Sequence, residues 1–248
     1  RNLVFGATGN PFNPKLSCAG SSGGSAVSLA TSMVPLATGS DYGGSLRTPA
    51  SFCGVVGFRP SPGVVPNELR SVGLNPFSVL GPMGRTVSDA ALLLSAMISD
   101  DPRDPFGSGI NTELAKPLQP ADLAHFRVAV SEDLGTAPLD DDIRHCFRRK
   151  IKGIQHIFLS TQHQDPPFDD DLHRAFEVLR CVNYLSAHAE KLAEHRELLT
   201  PNVIANVEMA SQFTIADVAW AHKKQTALYR GYTDMFNEID LLLSPTAA

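Results

Sequence analysis

The sequence has little that would tie it to a membrane, a metal or a nucleic acid. Across 248 residues no apolar run approaches the roughly 18 residues that a membrane-spanning helix needs, and no signal peptide opens the chain. Basic residues number 21 against 26 acidic ones, and the net charge is −5. They are scattered, so no basic field invites a nucleic-acid partner. The four cysteines, Cys18, Cys53, Cys146 and Cys181, show no Cys-x-x-Cys spacing and read as reduced core residues of a cytoplasmic protein. The eight histidines include no His-Glu-x-x-His, and His188 and His195, seven apart, fit a solvated helix face. Two acidic triplets, at 140–142 and 169–171, lack the spaced oxygen ligands of a calcium loop; each is expected to open a helix, where the dipole favours negative charge. No metal is expected.

What is present is unevenly distributed. Fourteen of the 19 glycines lie in residues 1 to 100, and 22 of the 26 acidic residues lie beyond. Residues 1–106 therefore read as a glycine-rich platform and 107–248 as a charged, helix-rich cover, within a single domain of a size that buries an ample core. Chain order gives a buried helix over Ser25–Met33, a strand over Val34–Thr38 and a helix opened by the Thr86-x-x-Asp89 box. A loop follows over Asp100–Gly109. Beyond it come strands at Arg127–Val130, Ile154–Leu159 and Leu241–Leu243, and helices at Asp141–Lys152, Asp170–Leu199 and Thr214–Asn237. Strands alternating with helices imply an α/β fold, with a mixed, largely parallel central sheet covered by helices on both faces. The chain opens at Arg1 without a methionine and stops at Ala248 after a strand-like Leu-Leu-Leu, so it reads as an internal stretch of a longer protein, with its fold incomplete at both ends.

The chemistry points to Ser17–Pro60. Two glycine-serine clusters, Gly20-Ser21-Ser22-Gly23-Gly24-Ser25 and Gly43-Gly44-Ser45, flank a short apolar segment almost free of charge except for Asp41, Arg47 and Arg59. Clustered glycine implies backbone held in unusual conformations or close to a ligand. In Asp41-Tyr42-Gly43-Gly44-Ser45 a strand runs into a tight turn and then a serine. The N–H groups of Tyr42, Gly43 and Gly44 could stabilise an oxyanion formed when Ser45 attacks a carbonyl. The rival is Gly20-x-Ser22-x-Gly24, which fits the nucleophile elbow of an α/β-hydrolase, but that elbow needs a strand before it and residues 10–19 are broken by proline.

The same stretch resembles the amidase signature, the glycine- and serine-rich segment of a family of serine hydrolases acting on amide bonds. Similarity continues in Asn10-Pro11-Phe12-Asn13-Pro14, in Gly81-Pro82-Met83-Gly84-Arg85-Thr86-Val87-Ser88-Asp89 and in Asp240 to Thr246. The resemblance implies Ser45 as the nucleophile and Ser21, after a cis peptide bond, as the relay of its proton. Ser22, Asp41 and Arg47 then support the loop, the last two by pairing. It also implies a lysine several tens of residues before Ser21, upstream of residue 1; Lys15 is too near to match it. An amidase of this kind passes through an acyl-enzyme, releases ammonia or an amine and a carboxylate, and needs no cofactor. Its partner is a small-molecule amide and, at most, a second copy of the chain. Residues 64–80 are expected to contribute a pocket wall through Leu74, Phe77 and Val79. The alternatives are the amidase-type subunit of a glutamyl/aspartyl-tRNA amidotransferase and a non-catalytic, amidase-like assembly subunit. Transamidating subunits usually carry Ser-Leu-Asp-Gln before Ile-Gly-Pro, where this chain has Phe77-Ser78-Val79-Leu80 before Gly81-Pro82, a departure that favours a stand-alone amidase.

Overall fold

The computed structural model describes residues 4–107, 109 and 112–247. The chain ends at Arg1 and Ala248, and Ser108 of the expected 100–109 loop, lie outside the described residues. The chain divides into two compact units, Arg1–Pro120 and Ala121–Thr246.

In the first unit, α1 (Gly23–Ala30) leads to β1 (Leu36–Asp41), α2 (Arg47–Cys53), β2 (Val56–Gly57), β3 (Val79–Gly84) and α3 (Val87–Met97). The strands form one sheet in the order β1-β3-β2, with β3 antiparallel to both neighbours. The largely parallel sheet expected from the sequence is thus not what forms here. The reason lies in the connection: no α-helix spans residues 58–78, and a parallel return would need such a crossover. Leu29, Leu46 and Met83, each 0% exposed, form the centre of the core with Ala26, Ala50, Cys18 and Cys53. α1 stops at Ala30, sooner than expected. Ser32 enters the left-handed region at φ 58°, which turns the chain and leaves Met33 exposed. α3 opens on the expected capping box: Thr86 Oγ1 accepts the Asp89 N–H, and Asp89 returns a carboxylate oxygen to the Thr86 N–H, both at 3.1 Å.

The second unit contains β4 (Arg127–Val130), α4 (Asp141–Ile154), β5 (Ser160–His163), α5 (Leu172–His195), α6 (Pro201–Ala210), α7 (Ile215–Glu238) and β6 (Leu241–Leu243). Here the sheet is parallel, ordered β5-β4-β6, and helices make each crossover. Central β4 buries Val128, Ala129 and Val130. Edge strand β5 is polar, Ser-Thr-Gln-His, so the apolar run at 154–159 misplaces it: Ile154 ends α4 and a 3-10 turn follows. Asp140 caps α4 by accepting the Asp142 N–H, and the second triplet stands at the start of α5, where Asp171 is the N-cap residue; Asp169 and Asp171 also face Lys224 at 2.6 and 2.8 Å. Cys146, expected in the core, is exposed on α4; Cys18, Cys53 and Cys181 are buried, and all four are free thiols. No described helix is long and apolar enough to cross a membrane.

Leu29→Ala removes a side chain from the centre of the first unit's core and is expected to cost about 3 kcal/mol in urea unfolding. A loss under about 1 kcal/mol would mean that the site collapses around the deletion and that Leu29 does not anchor the unit.

Candidate active site

Asp41 ends β1 with its side chain fully enclosed, 0% exposed, and its acceptors gather the loop that follows. Oδ1 accepts the N–H of Gly44 at 2.8 Å, and Oδ2 accepts that of Leu46 at 3.2 Å. The Arg47 guanidinium closes on the same carboxylate bidentately, Nε to Oδ2 and Nη2 to Oδ1, both at 2.9 Å. This is the pairing expected of these two residues. A second cation, Arg59, was given no role from the sequence. Its Nη1 donates to the Asp41 carbonyl at 2.6 Å, to Asp41 Oδ1 at 3.3 Å and to the Phe77 carbonyl at 2.9 Å. Burial alone would raise the Asp41 pKa, but the hydrogen bond from Arg47, the N–H of Gly44 and the Arg47 charge outweigh it and hold the carboxyl below its ordinary 3.8.

The five residues between β1 and α2 can turn this tightly because of Gly44. Its φ of +113° is disfavoured for residues with a Cβ, and an added Cβ would stand 2.9 Å from Thr48 Oγ1. The turn brings half-buried Ser45 to the start of α2.

Ser22 carries the other cluster to the same place. Its N–H donates to the Ser45 carbonyl at 3.3 Å, and its hydroxyl bridges Ser40, accepting the N–H and donating to the carbonyl, both at 3.2 Å. Ser25 adds a bond to the Thr38 carbonyl at 2.8 Å. β1 is an edge strand, so these hydroxyls satisfy backbone groups that no neighbouring strand reaches. Gly39 permits the approach: a Cβ there would lie 2.6 Å from Ser22 Oγ. Ser21 is exposed, and the Gly20–Ser21 peptide bond before it is cis, as the resemblance implies. Among the described residues no hydrogen bond joins the Ser21 and Ser45 hydroxyls; the two segments meet through backbone at Ser22. The strand that an α/β-hydrolase elbow would need before Ser22 is replaced by loop, with a single bridge from Ser17 to Gly9.

Of the three side chains expected to form a wall, Leu74, Phe77 and Val79, it is Phe77 that stands beside the loop, its ring 5.2 Å from that of Tyr42. Val79 is instead buried in β3 opposite Asp41, and Leu74 is exposed. Asn75, which carries no signal of its own in the sequence, donates to the Tyr42 hydroxyl at 3.3 Å.

Comparison with known proteins supplies the family. The amidase family model matches residues 1–248. The chain belongs to the amidase signature family. It is 40% identical over 169 residues to a glutamyl-tRNA(Gln) amidotransferase subunit of Ralstonia pickettii, covering 63% of this chain and 34% of that protein. Against the acylamidase of Rhodococcus erythropolis it is 28% identical over 248 residues, all of this chain and 52% of that one. The structure of a bacterial aryl acylamidase belonging to the amidase signature enzymes superposes with a TM-score of 0.86 at 25% identity, over 98% of this chain and 52% of that one. The chain thus spans between about a third and a half of the length of these relatives.

Within this amidase signature segment the loop's N–H groups are not equivalent. That of Gly44, expected as a free donor, is engaged by Asp41 Oδ1, while those of Gly43 and Ser45 have no acceptor among the described residues. The sequence could not show this, because the engagement depends on where a buried carboxylate lies.

Because the folded pKa of Asp41 is depressed, its contribution to stability is present above its ordinary pKa of 3.8 and is lost as pH falls through the lower folded value. Asp41→Asn is expected to cost about 2 kcal/mol at neutral pH, less than a fully buried pair because Arg47 remains half exposed. In urea titrations the gap between the two proteins should close below 3.8; a gap independent of pH would show that the charge is not what matters.

Proposed function

We propose that this segment carries the serine part of the catalytic site of an amide-bond hydrolase. The observation that carries the reading is the turn itself: an enclosed carboxylate bends five residues so that Ser45 follows a peptide N–H, that of Gly43, with no acceptor among the described residues. In the reaction proposed, Ser45 Oγ attacks the amide carbonyl carbon. Its proton passes by way of Ser21 to the lysine implied upstream of residue 1. The carbonyl oxygen becomes an oxyanion, for which the donors are the N–H groups of Tyr42, Gly43 and Gly44; Gly44 would have to release Asp41 Oδ1 to take part. The C–N bond then breaks, the nitrogen leaves with a proton returned through the relay, and Ser45 holds an ester. Water attacks that ester, giving a carboxylate and the free serine.

Ser22 fits a supporting part. Its one O–H is spent on the Ser40 carbonyl while a lone pair accepts the Ser40 N–H, and an activated nucleophile needs its O–H directed to a base. The reading as the amidase-type component of an amidotransferase draws on the 40% identity to the Ralstonia protein. Stand-alone hydrolysis of an acyl amide is preferred here, because the acylamidase aligns over the whole chain and because Phe77-Ser78-Val79-Leu80 replaces Ser-Leu-Asp-Gln. A non-catalytic role is disfavoured by the presence together of Ser21, Ser45, Gly43 and Gly44.

Two measurements test this. In a chain extended through the upstream lysine, a fluorophosphonate should add one phosphonyl group; Ser45→Ala should abolish the adduct and Ser22→Ala should keep it. Undiminished labelling of Ser45→Ala would sink the assignment. Amide turnover by residues 1–248 alone should be close to nil beside the extended chain, because the lysine implied upstream is then missing and Lys15, exposed in the loop just before Ser21, does not match its place. Equal turnover, abolished by Lys15→Ala, would place the base at Lys15 instead.

A further inference from the structure

Residues 66–78 form neither helix nor strand, yet they deliver Asn75 and Phe77 to Tyr42. One guanidinium holds this loop from inside. The Arg70 side chain is 2% exposed, and its Nη1 donates to the carbonyls of Asn75, at 3.2 Å, and Ser78. Its Nη2 lies 3.4 Å from Oδ2 of Asp104, which is 0% exposed, and the guanidinium sits 5.1 Å over the Phe106 ring. Asp104 in turn accepts the N–H of Asn67 at 2.8 Å and that of Phe106 at 3.0 Å. Both ends of the loop and the turn at 104–106 therefore close on a single buried ion pair. Arg70 Nε is buried with no partner. An unpaired buried donor is unfavourable, so the guanidinium is placed by the carbonyls it must reach rather than by full satisfaction of its own N–H groups.

The far end of the loop meets the Asp41 turn at two points. Asn75 Nδ2 and the Phe77 ring contact Tyr42, three residues before Ser45, and the Phe77 carbonyl shares Arg59 Nη1 with the Asp41 carbonyl. We propose that Arg70 and Asp104 are positioning residues for the amide substrate: by fixing Asn75 and Phe77 against Tyr42 they set the wall beside Ser45 on which the acyl group binds. This rests on Ser45 being the nucleophile. A lysine at 70 would keep the charge but lose the planar fork that reaches two carbonyls and a carboxylate together.

The test uses the extended chain with Arg70→Lys, Asp104→Asn and the apolar pair Arg70→Met/Asp104→Leu, which removes both charges and leaves neither buried alone. For an aryl amide, KM should rise about ten-fold in each, while kcat and the rate of fluorophosphonate addition stay within about two-fold. Unchanged KM overturns the proposal. So does a loss of kcat and of labelling in step with a lowered melting temperature, since that is what a merely structural pair would give. Failure of the unmutated chain to label at Ser45 would instead overturn the nucleophile assignment, and the two failures are therefore distinguishable.

Discussion

The first unit depends on a carboxylate that could not be buried alone. Removing an ionised aspartate from water is costly unless its lone pairs are filled, and the chain fills those of Asp41 from four directions: the N–H groups of Gly44 and Leu46 and the guanidinium groups of Arg47 and Arg59. Each of those donors constrains something else. Gly44 takes a backbone conformation disfavoured for other residues, Leu46 fills the core at 0% exposure, and Arg47 begins α2. Arg59 brings in the carbonyl of Phe77. The position of Ser45 follows from these constraints together, for it lies between two of the bonded residues.

The serine cluster solves a different problem with the same outcome. An edge strand exposes backbone donors and acceptors, and β1 meets them with the hydroxyls of Ser22 and Ser25 instead of another strand. Small residues are needed at two points: Gly39 leaves room for Ser22, and Gly23 leaves room for the Cys18 thiol, which a Cβ would approach to 2.7 Å. In this chain Gly23, Gly39, Ser22 and Ser25 thus each have a structural reason to be there.

Local signals were legible where one element decides its own fate. The capping box at Thr86, the apolar run at 127–130 and the acidic cap of α4 each stand where the pattern puts them. The antiparallel sheet was not legible, because strand direction depends on how residues 58–78 return, and that stretch has no periodicity to read. Asp41 and Arg47 were found because they are six residues apart in one motif; Arg59, Asn75, Arg70 and Asp104 were missed because the pairs Arg59–Asp41, Asn75–Tyr42 and Arg70–Asp104 span 18, 33 and 34 residues. Polar β5 escaped for the opposite reason, since an exposed edge strand needs no apolar signature. Gly44 was correctly placed at the turn, but its N–H faces a carboxylate that only the folded chain positions.

Whether the charge on Asp41 sets the geometry of Ser45 is tested most directly by the rate of fluorophosphonate addition to Ser45 in Asp41→Asn, in the extended chain and well below its unfolding temperature. A neutral amide keeps the size of the side chain but turns one acceptor into a donor facing Leu46 or Arg47. The rate should fall about a hundred-fold while the folded state persists, the scale expected for a displaced reacting group. A rate equal to that of the unmutated protein would show that Ser45 is held by other means.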